Sequence, residues 1–162
     1  MTPAVHLLLK QGIKHRTHAY THDPEHPSFG LEATEKLGVA STRVFKTLIV
    51  AMGSGSFCVA IIPTSATLNL KRAAQCTQVK KVTMAARADA ERVTGYTLGG
   101  ISPLGQKRAL PTMIDQSALD FTTIYVSAGR RGLEIEISPR DLKNLTNANY
   151  VELTNQLNCG TD

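Results

Sequence analysis

The sequence predicts one α/β domain with a mixed sheet, and three observations predict it. Its 162 residues can bury one sizeable core but not two ordinary ones. Short apolar runs with strand character alternate with short capped segments of helical character. The connections between them are both tight and long, which suits a mixed sheet better than a doubly wound parallel one. No repeat, low-complexity segment or linker interrupts the chain.

Thr2-Pro3 supplies a capping residue and a first-turn proline ahead of Ala4 to Leu9, and Gly12 a stop, so a short helix opens the sequence. Arg16 to His22 alternates as a strand, and Asp23 to Phe29, with two prolines, reads as a loop. Leu31 to Leu37 then reads as a helix ended by Gly38. Val44 to Met52 is a strand that Gly53-Ser54-Gly55-Ser56 turns into a second, Phe57 to Ile62, stopped by Pro63. Helices are expected at Leu68 to Ala74 and Ala85 to Val93, with a short strand near Val79 to Val82 between them. Strands follow at Pro111 to Ile114, Thr122 to Ser127 and Leu133 to Ile137. Ser138-Pro139-Arg140-Asp141 is a helix start with cap, proline and first-turn acid, and a last strand lies near Tyr150 to Leu153. The domain is expected to occupy residues 1–154, leaving 155–162 as a polar tail.

Composition narrows the function classes. No apolar run approaches the roughly 20 residues that span a bilayer, and the first residues lack the pattern of a signal peptide. A cytoplasmic protein with no membrane contact is expected. Three widely spaced cysteines, Cys58, Cys76 and Cys159, indicate neither a disulfide framework nor a zinc knuckle, and Cys58 reads as a small buried hydrophobe. The net charge of +5 gathers in short clusters that a polyanion could exploit: Lys71-Arg72, Lys80-Lys81, Lys107-Arg108 and Arg130-Arg131. Solubility charge explains the same surplus. Aromatic residues, at 5%, are too few for a single-strand stacking platform.

Several motifs fail on inspection. His22-Asp23-Pro24-Glu25-His26 imitates an inverted zincin, but Pro24 and Pro27 oppose the helix that motif needs, so no metal is expected. Gly100 to Lys107 imitates a phosphate-binding loop, yet Gln106 intervenes before the lysine and Arg108 follows it. Ser102 lacks a nucleophile elbow, because position 104 is Leu. What survives is narrower. Gly95, Gly99, Gly100 and Gly105, with Pro103 among them, describe a loop of constrained shape, whether a plain turn or one whose backbone approaches a ligand. Lys46 lies on the strand face of Val44, Leu48 and Val50, where a charge must snorkel, find a partner or serve a site. Tyr125 to Gly132 runs from a strand into a doubly basic glycine-flanked loop, either an anion nest or a hairpin with exposed charges.

These residues together resemble the YbaK family of bacterial trans-editing factors, the Cys-tRNA(Pro) deacylases. The likeness runs from Met1-Thr2-Pro3-Ala4 through His22-Asp23-Pro24, Phe45-Lys46-Thr47-Leu48, Leu70-Lys71 and Lys80-Lys81-Val82. It continues through Thr94-Gly95-Tyr96, Gly99 to Lys107, Ile124 to Ser127 and Arg131-Gly132-Leu133, up to about Leu153. The resemblance implies a strongly curved, barrel-like mixed sheet surrounded by short helices. It implies that Lys46 is the essential catalytic lysine. Gly99, Gly100, Ile101, Ser102 and Pro103 would line the amino-acid pocket, walled by Tyr20, Phe29, Ser127, Ala128 and Gly129. Lys71, Arg72, Lys107, Arg130 and Arg131 are weaker candidates for holding tRNA. No cofactor, metal or DNA is implied; the partners would be cysteine-charged tRNA(Pro) and prolyl-tRNA synthetase. The substrate's own thiol would attack the ester, Lys46 would hold a phosphate or the carbonyl oxygen, and amides near Gly100 or Gly129 would receive the oxyanion. An alanyl-tRNA(Pro) deacylase using water or a ribose hydroxyl, and a non-catalytic RNA- or nucleotide-binding module, are the alternatives. One departure stands out: Ala128 occupies a position that is often glycine in the family, which puts the loop's detailed shape in question.

Overall fold

The computed structural model describes residues 1–53 and 55–155, and Cys159 with the rest of the tail lies outside them. Helix α1 (Pro3–Lys10) is capped by the Thr2 hydroxyl, which accepts from the Val5 amide. Strand β1 spans Arg16–Ala19 and helix α2 Phe29–Leu37; α2 is capped by Ser28 and closed by Gly38 in the left-handed conformation. The hairpin β2 (Phe45–Ala51) and β3 (Phe57–Pro63) pairs in register, Phe45 opposite Pro63 and Ala51 opposite Phe57. Then come α3 (Leu70–Thr77), β4 (Thr83–Met84), α4 (Arg87–Thr94) and β5 (Thr112–Asp115). Strands β6 (Ile124–Arg130) and β7 (Leu133–Ile137), helix α5 (Pro139–Thr146) and β8 (Asn149–Val151) complete the order.

These strands make two sheets, one in the order β1-β7-β6 and one in the order β4-β2-β3-β5-β8. The larger sheet is mixed, since β3 pairs antiparallel with β2 but parallel with β5. The barrel-like sheet implied by the resemblance is not what forms, because neither sheet closes. A barrel needs a continuous ladder, and between β2 and β6 the ladder shrinks to one parallel bridge at Val44 and Tyr125. Beyond that bridge, residues 45–49 of β2 have no strand partner on their outer edge until β4 pairs with Val50. A cleft occupies that gap.

Strand β3 is buried along its whole length, which is why it reads as an unbroken apolar run. Val59 and Ile61 join Phe45, Ile49, Ile124, Val126, Ile135 and Ile137 in the main core, where α1, α4 and α5 add Leu8, Val93 and Leu142. Cys58, Ala60 and Ile62 face a second cluster covered by Ala73 and Ala74 of α3. Cys58 is the small buried hydrophobe expected, its thiol pushed up to about 11 by burial.

Local differences from the sequence reading have local causes. No strand forms over 79–82: Gln78 ends α3 in the left-handed conformation, Val79 folds back to the Ala74 carbonyl, and pairing starts only at Thr83. Asn69, not an earlier residue, caps α3, shifting that helix to Leu70–Thr77. Strand β1 ends at Ala19, since His22 turns to Glu32 of α2. The last strand spans Asn149–Val151, because the Leu153 amide instead donates to the Asp115 carboxylate. That carboxylate also caps a short 3-10 helix at Gln116–Asp120, which the sequence reading missed.

Candidate active site

A cleft of about 360 Å³ runs along the open edge of β2. Residues of both strand faces line it, Phe45 and Thr47 from one and Lys46 and Leu48 from the other. Ser28, Phe29 and Gly30 at the start of α2 line one part, Leu98, Gly99 and Ile101 a second, and Ser127 and Glu134 of the three-stranded sheet, with Tyr20 just past β1, a third. The volume falls in the range of small-ligand pockets.

Three polar groups in this cleft stand out: Lys46, Glu134 and Thr47. Lys46 is half-buried with neither hydrogen bond nor ion pair among the described residues, and desolvation pulls its amine below the ordinary lysine value. Glu134 is buried, and desolvation raises its carboxyl to about 8, so it is protonated at neutral pH. The hydroxyl Oγ1 of Thr47 is buried and makes no hydrogen bond. An unsatisfied buried polar atom costs about 1–3 kcal/mol. The Thr47 hydroxyl is such an atom, and it shares one concave surface with a desolvated amine and a desolvated carboxyl, the kind of grouping found at functional sites.

The contrast with Glu136, two residues along the same strand face, locates the cause. Its carboxylate accepts from the Thr123 hydroxyl at 2.6 Å, pairs with His18 at 2.9 Å and Arg43 at 3.3 Å, and is held below the ordinary value by those bonds, the Thr123 bond foremost. Glu134 has the same alternation and none of the partners. Sequence reasoning missed it because Leu133-Glu134-Ile135-Glu136-Ile137 makes the two carboxylates look equivalent.

Half of the expected pocket residues line the cleft: Tyr20, Phe29, Gly99, Ile101 and Ser127. The other five pack behind it. Gly100 lies so close to the Arg130 backbone that a Cβ there would sit 2.9 Å from its Cα. Ser102 is fully buried and accepts from the Leu104 amide. Pro103 faces a different cavity, beside Leu7 and Leu145. Ala128 is fully buried in the main core, and Gly129, with φ +108°, abuts the Tyr96 ring. A bulge between Ser127 and Arg130 produces this arrangement, turning Ser127 to the cleft and Ala128 inward. Ala128 needs no left-handed backbone, since Gln78 and Asn147 are the only described non-glycine residues with positive φ. The substitution noted in the sequence therefore leaves the loop's shape intact.

The expected oxyanion donors are amides near Gly100 or Gly129, and the two glycines' own amides are engaged. Gly100 N–H donates to the Thr97 carbonyl at 2.9 Å and Gly129 N–H to Ser127 Oγ at 3.1 Å. Free amides lie instead at the start of α2, where Phe29 and Gly30 belong to the first turn and have no partner within the helix. Of the weaker cationic candidates, Arg130 and Arg131 sit at the β6–β7 turn, against the glycine loop. Lys107 is exposed at that loop's far end. Lys71 and Arg72 ride on α3 over the second cluster, with Arg72 paired to Glu152 at 2.8 Å, and neither lines the cleft. His22 and His26, read earlier as a failed zincin, bind Glu32 and Glu35.

The fold and site define a small α/β binding protein whose cleft presents a fixed cation, a neutral carboxyl and helix-start amides, with no histidine among the lining residues to activate a serine. The profile of the Aminoacyl-tRNA editing domain family matches residues 27–145, and the chain belongs to that family. It is 35% identical over 153 residues to an Enterococcus faecalis protein named "Putative Cys-tRNA(Pro)/Cys-tRNA(Cys) deacylase EbsC", covering 94% of this chain and 93% of that one. Among solved structures, the hypothetical protein APE2540 superposes with a TM-score of 0.83 at 25% identity, over 94% of this chain and 99% of the other. A "putative trans-editing enzyme for prolyl tRNA synthetase" superposes at 0.79 and 19% identity, over 94% and 93%, a likeness of fold. No helix among the described residues is long and apolar enough to cross a membrane.

Proposed function

We propose that the protein is a cytoplasmic trans-editing deacylase, spanning residues 1–154, that cleaves the ester of Cys-tRNA(Pro) and of Cys-tRNA(Cys). The observation that carries the substrate is the near full-length likeness to the Enterococcus faecalis protein, whose name holds both tRNAs. The chemistry of the cleft supports it. An aminoacyl ester is already reactive, so positioning and charge stabilisation suffice. The lining residues include no cysteine, and no histidine to activate their serines and threonine, which favours a nucleophile carried by the substrate.

The thiol of the misplaced cysteine is that nucleophile. Its sulfur bonds to the ester carbonyl carbon, the carbon–oxygen bond to the ribose breaks, and the thiol proton ends on the departing ribose oxygen. Lys46, free of any carboxylate, meets either the carbonyl oxygen or a terminal phosphate. The amides of Phe29 and Gly30 add fixed dipoles. Glu134, neutral at pH 7, can donate a hydrogen bond where a carboxylate would repel the anionic substrate. Prolyl-tRNA, with no thiol, is spared. Prolyl-tRNA synthetase is the proposed partner, selecting the tRNA.

The test compares Cys-, Ala- and Pro-tRNA(Pro) with wild type and Lys46→Ala, with and without the synthetase. Lys46→Ala should slow Cys-tRNA(Pro) cleavage by on the order of a hundredfold or more. Undiminished cleavage removes Lys46 from the mechanism, and equally fast release of serine in place of cysteine removes the thiol. Preferred cleavage of Ala-tRNA(Pro) would assign the other editing substrate.

A further inference from the structure

Arg131 does not itself line the cleft but packs on three residues that do, Phe29, Leu98 and Gly99, a setting unlike that of an ordinary surface arginine. Its guanidinium carbon lies 3.5 Å from the centroid of the Phe29 ring. One Nη contacts His22 Nε2 at 3.3 Å and the other reaches the Leu98 carbonyl at 3.5 Å. Neither is a carboxylate, and no carboxylate pairs with Arg131 among the described residues. Two of its five N–H groups are occupied, which leaves three donors and an uncompensated charge.

What holds it reaches deep into the fold. Arginine can only donate, so His22 Nε2 must accept, which places the ring proton on Nδ1. That Nδ1–H donates to Glu32 at 2.7 Å, and the second Glu32 oxygen accepts the Asp23 amide at 2.6 Å. Glu32 is fully buried. Burial alone would raise its carboxyl, but the His22 and Asp23 bonds override that and keep it below the usual range. Gly99 completes the setting: a Cβ there would meet Arg131 Nε at 2.7 Å and the Phe29 ring at 2.8 Å. The close glycine is therefore required by the arginine's seat.

We propose that Arg131 is a phosphate-binding residue beside the cleft, taking the 5′-phosphate of the nucleotide whose ribose carries the amino acid, and that His22, itself seated on Glu32, is the positioning residue that aims it. This rests on the editing function and deepens it, for it assigns the phosphate to Arg131 and leaves Lys46 to the carbonyl oxygen. A planar cation fixed on an aromatic face loses little freedom on binding, and its fork matches phosphate oxygens.

The experiment is calorimetric titration of the full chain with 5′-AMP and with adenosine, beside cleavage of Cys-tRNA(Pro). Wild type should prefer AMP by on the order of tenfold or more, the effect of one or two charge-assisted hydrogen bonds. Arg131→Leu should erase that preference and raise KM more than it lowers kcat. Two His22 variants separate aiming from scaffolding. In His22→Gln the side-chain oxygen reaches the Nε2 position and can still accept from Arg131; in His22→Asn the amide reaches only the Nδ1 position and keeps Glu32 instead. The preference should survive in His22→Gln and fall by about tenfold in His22→Asn at unchanged melting temperature. A merely structural histidine would give the reverse order and overturn the positioning role. Equal binding of AMP and adenosine by wild type, or an AMP preference intact in Arg131→Leu, overturns the phosphate assignment. Failure of the editing reading is distinct: no aminoacyl-tRNA is cleaved, while the Arg131-dependent AMP preference persists.

Discussion

Replacing Glu134 with Gln should make the protein more stable in alkaline solution and change nothing in acid. Glutamine has the shape of the protonated acid, so the variant removes only the ability to ionise. In the folded chain the carboxyl titrates near 8, raised from 4.5 by burial. A raised folded pKa stabilises fully below the unfolded value, and that contribution is lost as pH rises towards the folded one. Each pH unit between them costs about 1.4 kcal/mol, so from pH 5 to pH 8 the wild type should lose about 3–4 kcal/mol relative to Glu134→Gln. For a chain of this size that is roughly 6–16 °C in melting temperature. Paired thermal melts at pH 5, 6, 7 and 8 read the difference directly, with all other titrating groups cancelling between the two proteins. Parallel curves across the range would refute a buried neutral carboxyl. A gap that widens towards acid would mean the group is ionised and paired in the fold.

Two further outcomes follow from named contacts. Gly99→Ala places a Cβ against Arg131 and Phe29 at a φ of +91°, and should cost about 1–3 kcal/mol in a chemical denaturation series. Its KM for aminoacyl-tRNA should rise with it, and a variant as stable and tight-binding as wild type would show the seat to be loose. Alkylation under native conditions, resolved by peptide mass, should modify exposed Cys76 and spare Cys58 until the protein unfolds, because a thiol near 11 with no access to solvent offers almost no thiolate.

Much of the chain's architecture could be read locally because its signals are local. Thr2-Pro3 and Ser138-Pro139 cap helices with their own hydroxyls, and Gly53 to Ser56 turns a hairpin whose flanking runs are apolar. Lys46 was visible as an anomaly because alternation puts it among Val44, Leu48 and Val50. Where two distant segments had to meet, the reading was weaker. The glycine loop read equally as a plain turn or a ligand cradle, and only packing divided it: Gly99 lines the cleft, while the Arg130 and Pro3 backbones press on Gly100 and Gly105. The expected barrel failed for the same reason, since only tertiary packing decides whether β2 and β6 zip together or part.

The sequence by itself determined the helices and their caps, the central hairpin and the odd placement of Lys46, all properties of residues within a turn or a strand of one another. Only the tertiary structure decided that Glu134 is neutral while Glu136 is ionised. It alone opened the cleft on the free edge of β2 and seated Arg131 between Phe29, Gly99 and His22. The reason is physical: desolvation and close contact depend on which remote segments cover a group, and alternation along one strand carries no record of them.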